Sequence, residues 1–203
     1  MSRDAEATPS RVRLAPDERR EQILQAALEA FHTKGFGQTS VRDLAAATGM
    51  SIAGMYHYFD TKDDILFAII QGSVDRLLAE LKAARDSAET PEARLRAMLG
   101  AIVRAVVEDR ASIRILIDNA DRLAPERQKM IRIKRREMAL MVRAELERLQ
   151  TAGHLKDLDL NVAAFALNGM ANWVYYWYNP DGPVDVDGLI DQLAEVFFHG
   201  VIR

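Results

Sequence analysis

From Asp17 onward, apolar residues recur every three or four positions, the spacing that gathers them on one face of an α-helix. Ile23, Ala27, Ala30 and Phe31 form such a stripe and predict a first helix over 17–34, stopped by Gly35. Thr39 or Ser40 offers an N-cap for a short helix through Ala47, with Val41, Leu44 and Ala45 on its apolar side. Thr48-Gly49 breaks it, and Ser51 caps a second short helix over 52–58. Thr61 with Asp64 forms a capping box that opens a long helix marked by Ile65, Ile69, Leu77 and Leu81. Thr90-Pro91 starts another, reaching about Val107, and a shorter one covers 112–119. Pro125 opens a long helix to Thr151, closed by Gly153. Asn161 caps a helix to Tyr178 that stops before Asn179-Pro180, and Asp185 or Asp187 begins the last, ending near Gly200. No alternating stretch marks a strand, and no internal repeat is present. The expected fold is all-α with about nine helices. A tail covers 1–15, a three-helix module 16–62, and a larger helical body 63–203.

Composition narrows the function without deciding it. At 203 residues, 49% hydrophobic and 28% charged, the chain is ordinary for a globular protein. It has no cysteine, which excludes a disulfide framework, a thiolate nucleophile and cysteine-held metal. The opening stretch to Pro16 lacks the apolar core of a secretory signal, and no apolar run approaches the roughly 20 residues that cross a bilayer. A soluble, cytoplasmic protein with no membrane partner is expected. The net charge of −3 is spread unevenly: residues 1–62 carry eight Lys/Arg against eight Asp/Glu, so the acid surplus sits in the remainder. A local basic footprint is compatible with that, so any DNA-binding role must come from a motif. His32, His57, His154 and His199 show no metal-ligand spacing, and there is no phosphate-cradling glycine loop or nucleophile elbow. No enzyme and no cofactor are expected.

The two short helices around Gly49 have the parts of a helix-turn-helix, in which the second helix enters the major groove and the first braces it. Gly49 permits the sharp turn. Leu44, Ala45, Met50 and Met55 supply a small core, and Ser51 heads a helix whose free N–H groups favour a phosphate. Tyr56, His57, Tyr58 and Lys62 offer donors to phosphate oxygens. Helix–glycine–helix corners also occur as plain packing, which leaves a helical scaffold without DNA binding open at this point.

The string from Thr39 to Leu66, TSVRDLAAATGMSIAGMYHYFDTKDDIL, closely resembles the DNA-binding signature of the TetR family of bacterial repressors, and the likeness runs from about Ile23 to Leu66. The resemblance implies a homodimer on a double-stranded operator. It implies base-reading or groove-entering roles for Arg42, Ser51, Ile52 and Ala53, and phosphate contacts from Thr39, Tyr56, Tyr58 and Lys62. Ser40 and His57 join the DNA-facing set. Gly54 stands where the family commonly has a small hydroxyl or glycine, and Ile52-Ala53 offers only apolar contact. Such residues touch thymine methyls but make no bidentate hydrogen bond, so readout rests on Arg42 and DNA shape. The resemblance also implies that the last two helices pair with their copies in a four-helix bundle. Leu189, Leu193, Val196, Phe197 and Val201 give the last helix an apolar stripe wide enough for that.

Trp173, Tyr176 and Trp177 share a helix face with Gly169 and Met170, while Ala171, Val174, Tyr175 and Tyr178 lie opposite. Aromatics on both sides predict burial on both sides, and paired indoles beside a glycine can line a ligand cavity. The run Asn172-Trp173-x-x-x-Trp177-Tyr178-x-Pro180-x-Gly182 resembles a motif in the acyl-CoA-sensing branch of the family. That likeness implies an acyl-CoA effector, lodged by Gly169, Met170, Asn172, Trp173, Tyr176 and Trp177 with Met138, Met141 and Arg143 from the preceding helix. The helix from Pro125 to Thr151 carries both apolar residues and a basic set, Lys134, Arg135, Arg136 and Arg143. An efflux-type pocket for lipophilic drugs is the alternative.

Overall fold

The computed structural model describes residues 15–202. Nine α-helices and one 3₁₀ turn make up the described residues: α1 (Pro16–Lys34), α2 (Val41–Thr48), α3 (Ile52–Tyr56), α4 (Lys62–Asp86), α5 (Pro91–Glu108), α6 (Arg110–Asn119), a turn at Ala120–Arg122, α7 (Pro125–Thr151), α8 (Leu160–Trp177) and α9 (Val186–Val201). No strand occurs among them; a single antiparallel bridge joins Leu155 to Ile202. The expected tail lies almost wholly outside the described residues.

Most helix starts are set by side chains close in sequence. Ser40 Oγ accepts the Asp43 N–H at 3.1 Å, and the Asp43 carboxylate accepts the Ser40 N–H at 2.8 Å. Ser40, not Thr39, is therefore the cap of α2. Thr61 and Asp64 repeat the arrangement at α4, and Thr90 Oγ1 takes the Ala93 N–H at α5. Two starts differ from expectation. Asp109 caps α6, so that helix begins at Arg110 and not Ser112. Asp159, not Asn161, caps α8, its Oδ1 accepting the N–H groups of Asn161 and Val162 at 2.8 and 3.0 Å. A carboxylate outcompetes an amide there because it complements the helix dipole as well as the free N–H groups. At α9 the choice falls on Asp185, which accepts the Gly188 N–H at 2.8 Å. The recognition-type helix α3 is shorter than expected, ending at Tyr56, and α8 ends at Trp177.

The interior is one continuous apolar cluster. Ile23, Ala27 and Phe31 of α1 meet Leu44 and Ala45 of α2 and Met55 of α3 in the N-terminal third. Ile65, Leu66, Ile69 and Ile70 carry the cluster along α4, which packs on α1, α5, α6 and α7. Leu95, Met98, Leu99 and Ile102 of α5 form the centre of the body, between α4, α7, α8 and α9. Each buried side chain of this kind contributes about 1.5–3 kcal/mol over leaving it exposed. The small module and the body are thus joined through α4, which shares both cores, and through the packing of α6 on α1.

Candidate functional site

The turn between α2 and α3 is fixed by three contacts. Gly49 adopts φ 65°, the left-handed region, where a Cβ would crowd the following carbonyl. Its N–H reaches Ala46 O at 3.2 Å, and the next N–H, on Met50, reaches Ala45 O at 2.9 Å. The buried Thr48 hydroxyl donates to Leu44 O and lies 3.8 Å from Met55 Sδ, joining the two helices. Ser51 Oγ then caps α3 by accepting the Gly54 N–H at 3.0 Å. A Cβ on Gly54 would lie 3.2 Å from that oxygen, which accounts for glycine beside the cap.

This geometry exposes one face of the module. Arg42, Ser51, Ile52, Ala53, Tyr56 and His57 are all open to solvent at least in part. Tyr56 is 50% exposed, so it is not part of the module core. Tyr58 is half-buried and packs against that core. The Asp43 carboxyl beside Arg42 is held below the usual carboxylate range, first by the hydrogen bonds from Ser40, with Lys34 and Arg42 adding smaller effects. Asp43 is therefore a fixed anion that braces the helix start, and the guanidinium of Arg42 stays outside it.

Three of the expected DNA-facing side chains are used internally. Thr39 is 1% exposed, and its hydroxyl donates to Gly35 O at 2.9 Å and Ala30 O at 3.3 Å. It cannot offer that proton to a phosphate. Lys62 donates to Phe36 O at 2.7 Å and Thr39 O at 2.8 Å, with its ammonium 4.2 Å from the Phe36 ring centroid. Its role is to clamp the start of α4 to the α1–α2 loop. The Ser40 hydroxyl, though exposed, is spent on Asp43. Of the expected DNA-facing set, the side chains left exposed, with no side-chain donor spent elsewhere among the described residues, are Arg42, Ser51 to Ala53, Tyr56 and His57, a narrower face than the sequence suggested.

On α8 the two-faced pattern holds, but not the cavity. Ala171, Val174 and Tyr178 point inward, with the Tyr178 hydroxyl donating to Val184 O at 2.9 Å. Tyr175 is half-buried beneath the Arg110 guanidinium, 5.2 Å from its ring centroid. The other face is open: Trp173 is 62% exposed, Phe165 is 72%, and Val162, Tyr176 and Trp177 stand out beside them. Nothing lies near the missing Cβ of Gly169, Asn172 is exposed with its amide on Asn168 O, and Met170 is half-buried. Trp173, Tyr176 and Trp177 therefore do not line a cavity inside the chain. Alanines and Val174 fill the inner side, and the bulkier aromatics are turned out. An exposed apolar face of this kind marks a contact surface.

Clefts lie instead along α7. One of about 490 Å³ runs between α7 and the end of α4, lined by Ile133, Leu140 and Met141 with Arg85, Arg136 and Arg148. A second, of about 210 Å³, lies between α7 and α8, where Arg136 and Arg143 meet Leu140, Phe165, Asn161 and Asn168. Arg143 Nε is buried without a partner. Met138 is in the core rather than at a cleft, and Lys134 is tied to Asp75. The sequence reading missed Phe165, Asn161 and Asn168 because it took the ligand set of α8 from the aromatic second half of that helix, whereas the cleft is lined by the first half. Among the described residues, no group of His, Asp or Glu could hold a metal, and no helix is long and apolar enough to cross a membrane.

Residues 23–69 match the family model of bacterial regulatory proteins, tetR family, and residues 88–201 match that of the tetracyclin repressor-like C-terminal domain. The chain belongs to the TetR family. Members similar to this TetR-family chain include the HTH-type transcriptional repressor KstR2 of Mycobacterium tuberculosis (strain H37Rv), 27% identical over 188 residues, which are 91% of this chain and 94% of KstR2. The structure of the TetR-family regulator PfmR from Thermus thermophilus aligns with a TM-score of 0.80 at 29% identity, covering 87% of this chain and 97% of PfmR. That of AibR in complex with isovaleryl coenzyme A and operator DNA aligns with a TM-score of 0.80 at 25% identity, covering 89% and 98%. This TetR-family chain is accordingly a helix-turn-helix transcription regulator and not an enzyme.

Proposed function

We propose that this protein is a homodimeric repressor, released from its operator by an acyl-CoA thioester that lodges against α7 and α8. The observation that carries the effector reading is the cleft between those helices, where Arg136 and Arg143 face Leu140 and Phe165. Guanidiniums hold phosphate oxygens well, and the neighbouring apolar wall suits an acyl chain. The likeness to AibR, solved with isovaleryl coenzyme A and operator DNA, supports the same effector class, and the likeness to KstR2, a transcriptional repressor, supports repression. The dimer reading rests on the exposed apolar face of α8, extended by Val196 of α9.

The test is operator release in a gel shift at fixed salt, titrated with coenzyme A, isovaleryl-CoA and longer acyl-CoAs. Release by acylated forms, weakened about tenfold or more by Arg143→Ala, is the expected result; that is the loss of roughly one charge-assisted hydrogen bond. Release by lipophilic cations and by no acyl-CoA of any length would replace this effector with an efflux-type one.

A further inference from the structure

Helix α4 begins two residues before Asp64 and directly follows the reading module, so the tilt of its first turn, with the packing of α1 on α6, bears on where the module stands. Asp64 uses its two carboxylate oxygens for different tasks. Oδ2 accepts the Thr61 N–H and hydroxyl, each at 2.7 Å, closing the helix cap. Oδ1 accepts from the Arg127 guanidinium on the first turn of α7, 63 positions along the chain. Arg127 also stacks on the ring of Phe67, 4.9 Å from its centroid, one turn further along α4.

Two more ion pairs follow in the same direction, Lys134 with Asp75 and Lys82 with Glu137 at 2.7 Å. The two helices therefore run in the same direction, bridged at three levels. The three are not equal. Lys82–Glu137 is open to solvent on both sides, and Asp75 is exposed beneath Lys134, conditions in which an ion pair adds little. Arg127–Asp64 is more sheltered, sits on an aromatic ring and is built into a helix cap. Its position is also the more consequential. On the other side of the cap, Lys62 binds the carbonyls of Phe36 and Thr39, just ahead of α2. Two sets of polar contacts thus meet at the start of α4, where Lys62 and Thr61 are chain neighbours: one reaches the loop ahead of α2, the other runs through the Thr61–Asp64 cap and Arg127 into α7, the helix that also lines both clefts.

We propose that Arg127 is a positioning residue for DNA binding: by holding Asp64 it fixes the tilt of the reading module on the body, and so the spacing of the two half-sites a dimer accepts. Arg127 touches neither a base nor a phosphate in this role. The inference rests on the two-copy reading of the previous subsection and is independent of the effector's identity.

The experiment takes an operator selected from random DNA by the full-length wild-type protein, then lengthens and shortens its centre by one base pair. Affinity for the three DNAs is measured across a salt series for wild type, Arg127→Ala, Arg127→Lys and Asp64→Asn, with the mass of each complex. Wild type is expected to discriminate between spacings by about tenfold or more, and Arg127→Ala to narrow that to about threefold or less, within the range of allosteric coupling. Arg127→Lys, which keeps a cation, retains most of it. The slope of log affinity against log salt stays at the wild-type value in all variants. Asp64→Asn keeps an acceptor for the cap and loses the charge, so it reports the same narrowing should Arg127→Ala not fold. Unchanged spacing discrimination in Arg127→Ala or Asp64→Asn overturns the inference, and so does a salt slope reduced by about one in Arg127→Ala, the mark of a lost phosphate contact. One copy per operator sinks the dimer reading and this inference together; two copies with unchanged discrimination sink this inference alone.

Discussion

The ammonium of Lys62 lies 2.8 Å from the carbonyl of Thr39, 23 positions earlier, and 2.7 Å from that of Phe36. A lysine at this place in the signature reads naturally as a phosphate contact, yet here its donors are turned inward. Lys62→Met should therefore act first on folding. Leaving two partly buried carbonyls without their donor costs about 1–3 kcal/mol, read as a lower urea midpoint with unchanged slope. A variant as stable as wild type that loses only DNA affinity would return Lys62 to the interface.

The reading face makes the complementary prediction. Arg42→Ala and Tyr56→Phe remove exposed groups that brace nothing, so the unfolding midpoint should stay within about 0.5 kcal/mol of wild type while operator binding weakens. For Arg42, two outcomes separate base from phosphate contact. Relaxed preference at one operator position, worth about 1–3 kcal/mol, marks base readout. A uniform loss with a salt slope lower by about one marks phosphate. Full affinity in both variants would remove the assigned reading face.

How much of this was legible in the sequence depends on range. Ser51, Thr61 with Asp64, and Thr90-Pro91 announced their helices because a cap acts over three residues. The same locality misplaced the cap of α8, since Asp159 and Asn161 are both capping types and only the dipole favours the carboxylate. Periodicity divided α8 into its two faces correctly but could not say which faced the body. That depended on the alanines at 163, 164 and 171 fitting closely against α5 and α7, which a single helix does not reveal. Thr39, Lys62 and Arg127 were misjudged or passed over for a different reason: their partners lie 9, 23 and 63 positions away.

The outer face of α8 yields a third prediction. Trp173→Asp places a charge amid Phe165, Tyr176 and Trp177 on a surface already open in the single chain. The variant should sediment as a monomer with its helical content intact and should lose operator affinity. A Trp173→Asp protein that remains dimeric would place self-association elsewhere.

Acid should loosen the molecule from its helix starts. Asp43, Asp64 and Asp159 all titrate below the ordinary value of 3.8, because N–H or hydroxyl donors favour their charged forms. For Asp64 the Thr61 hydroxyl is the leading cause and Arg127 the next. A carboxyl with a depressed folded pKa contributes stability that is fully present above the unfolded value and is lost as pH falls through the folded one. These three groups thus leave the urea midpoint flat from pH 7 to 5 and lower it below about 4. Asp64→Asn should flatten part of that acid limb, and a limb of unchanged steepness would show that Asp64 does not contribute to it.

Both tryptophans of the chain, Trp173 and Trp177, stand on its outer surface, with the Trp173 ring tilted against that of Tyr176, centroids 4.6 Å apart. In the proposed dimer their emission will consequently follow whether two subunits have met more closely than whether a small molecule has arrived. Dilution alone should shift the spectrum, and a fluorescence titration made near the subunit dissociation constant will record assembly under the name of occupancy.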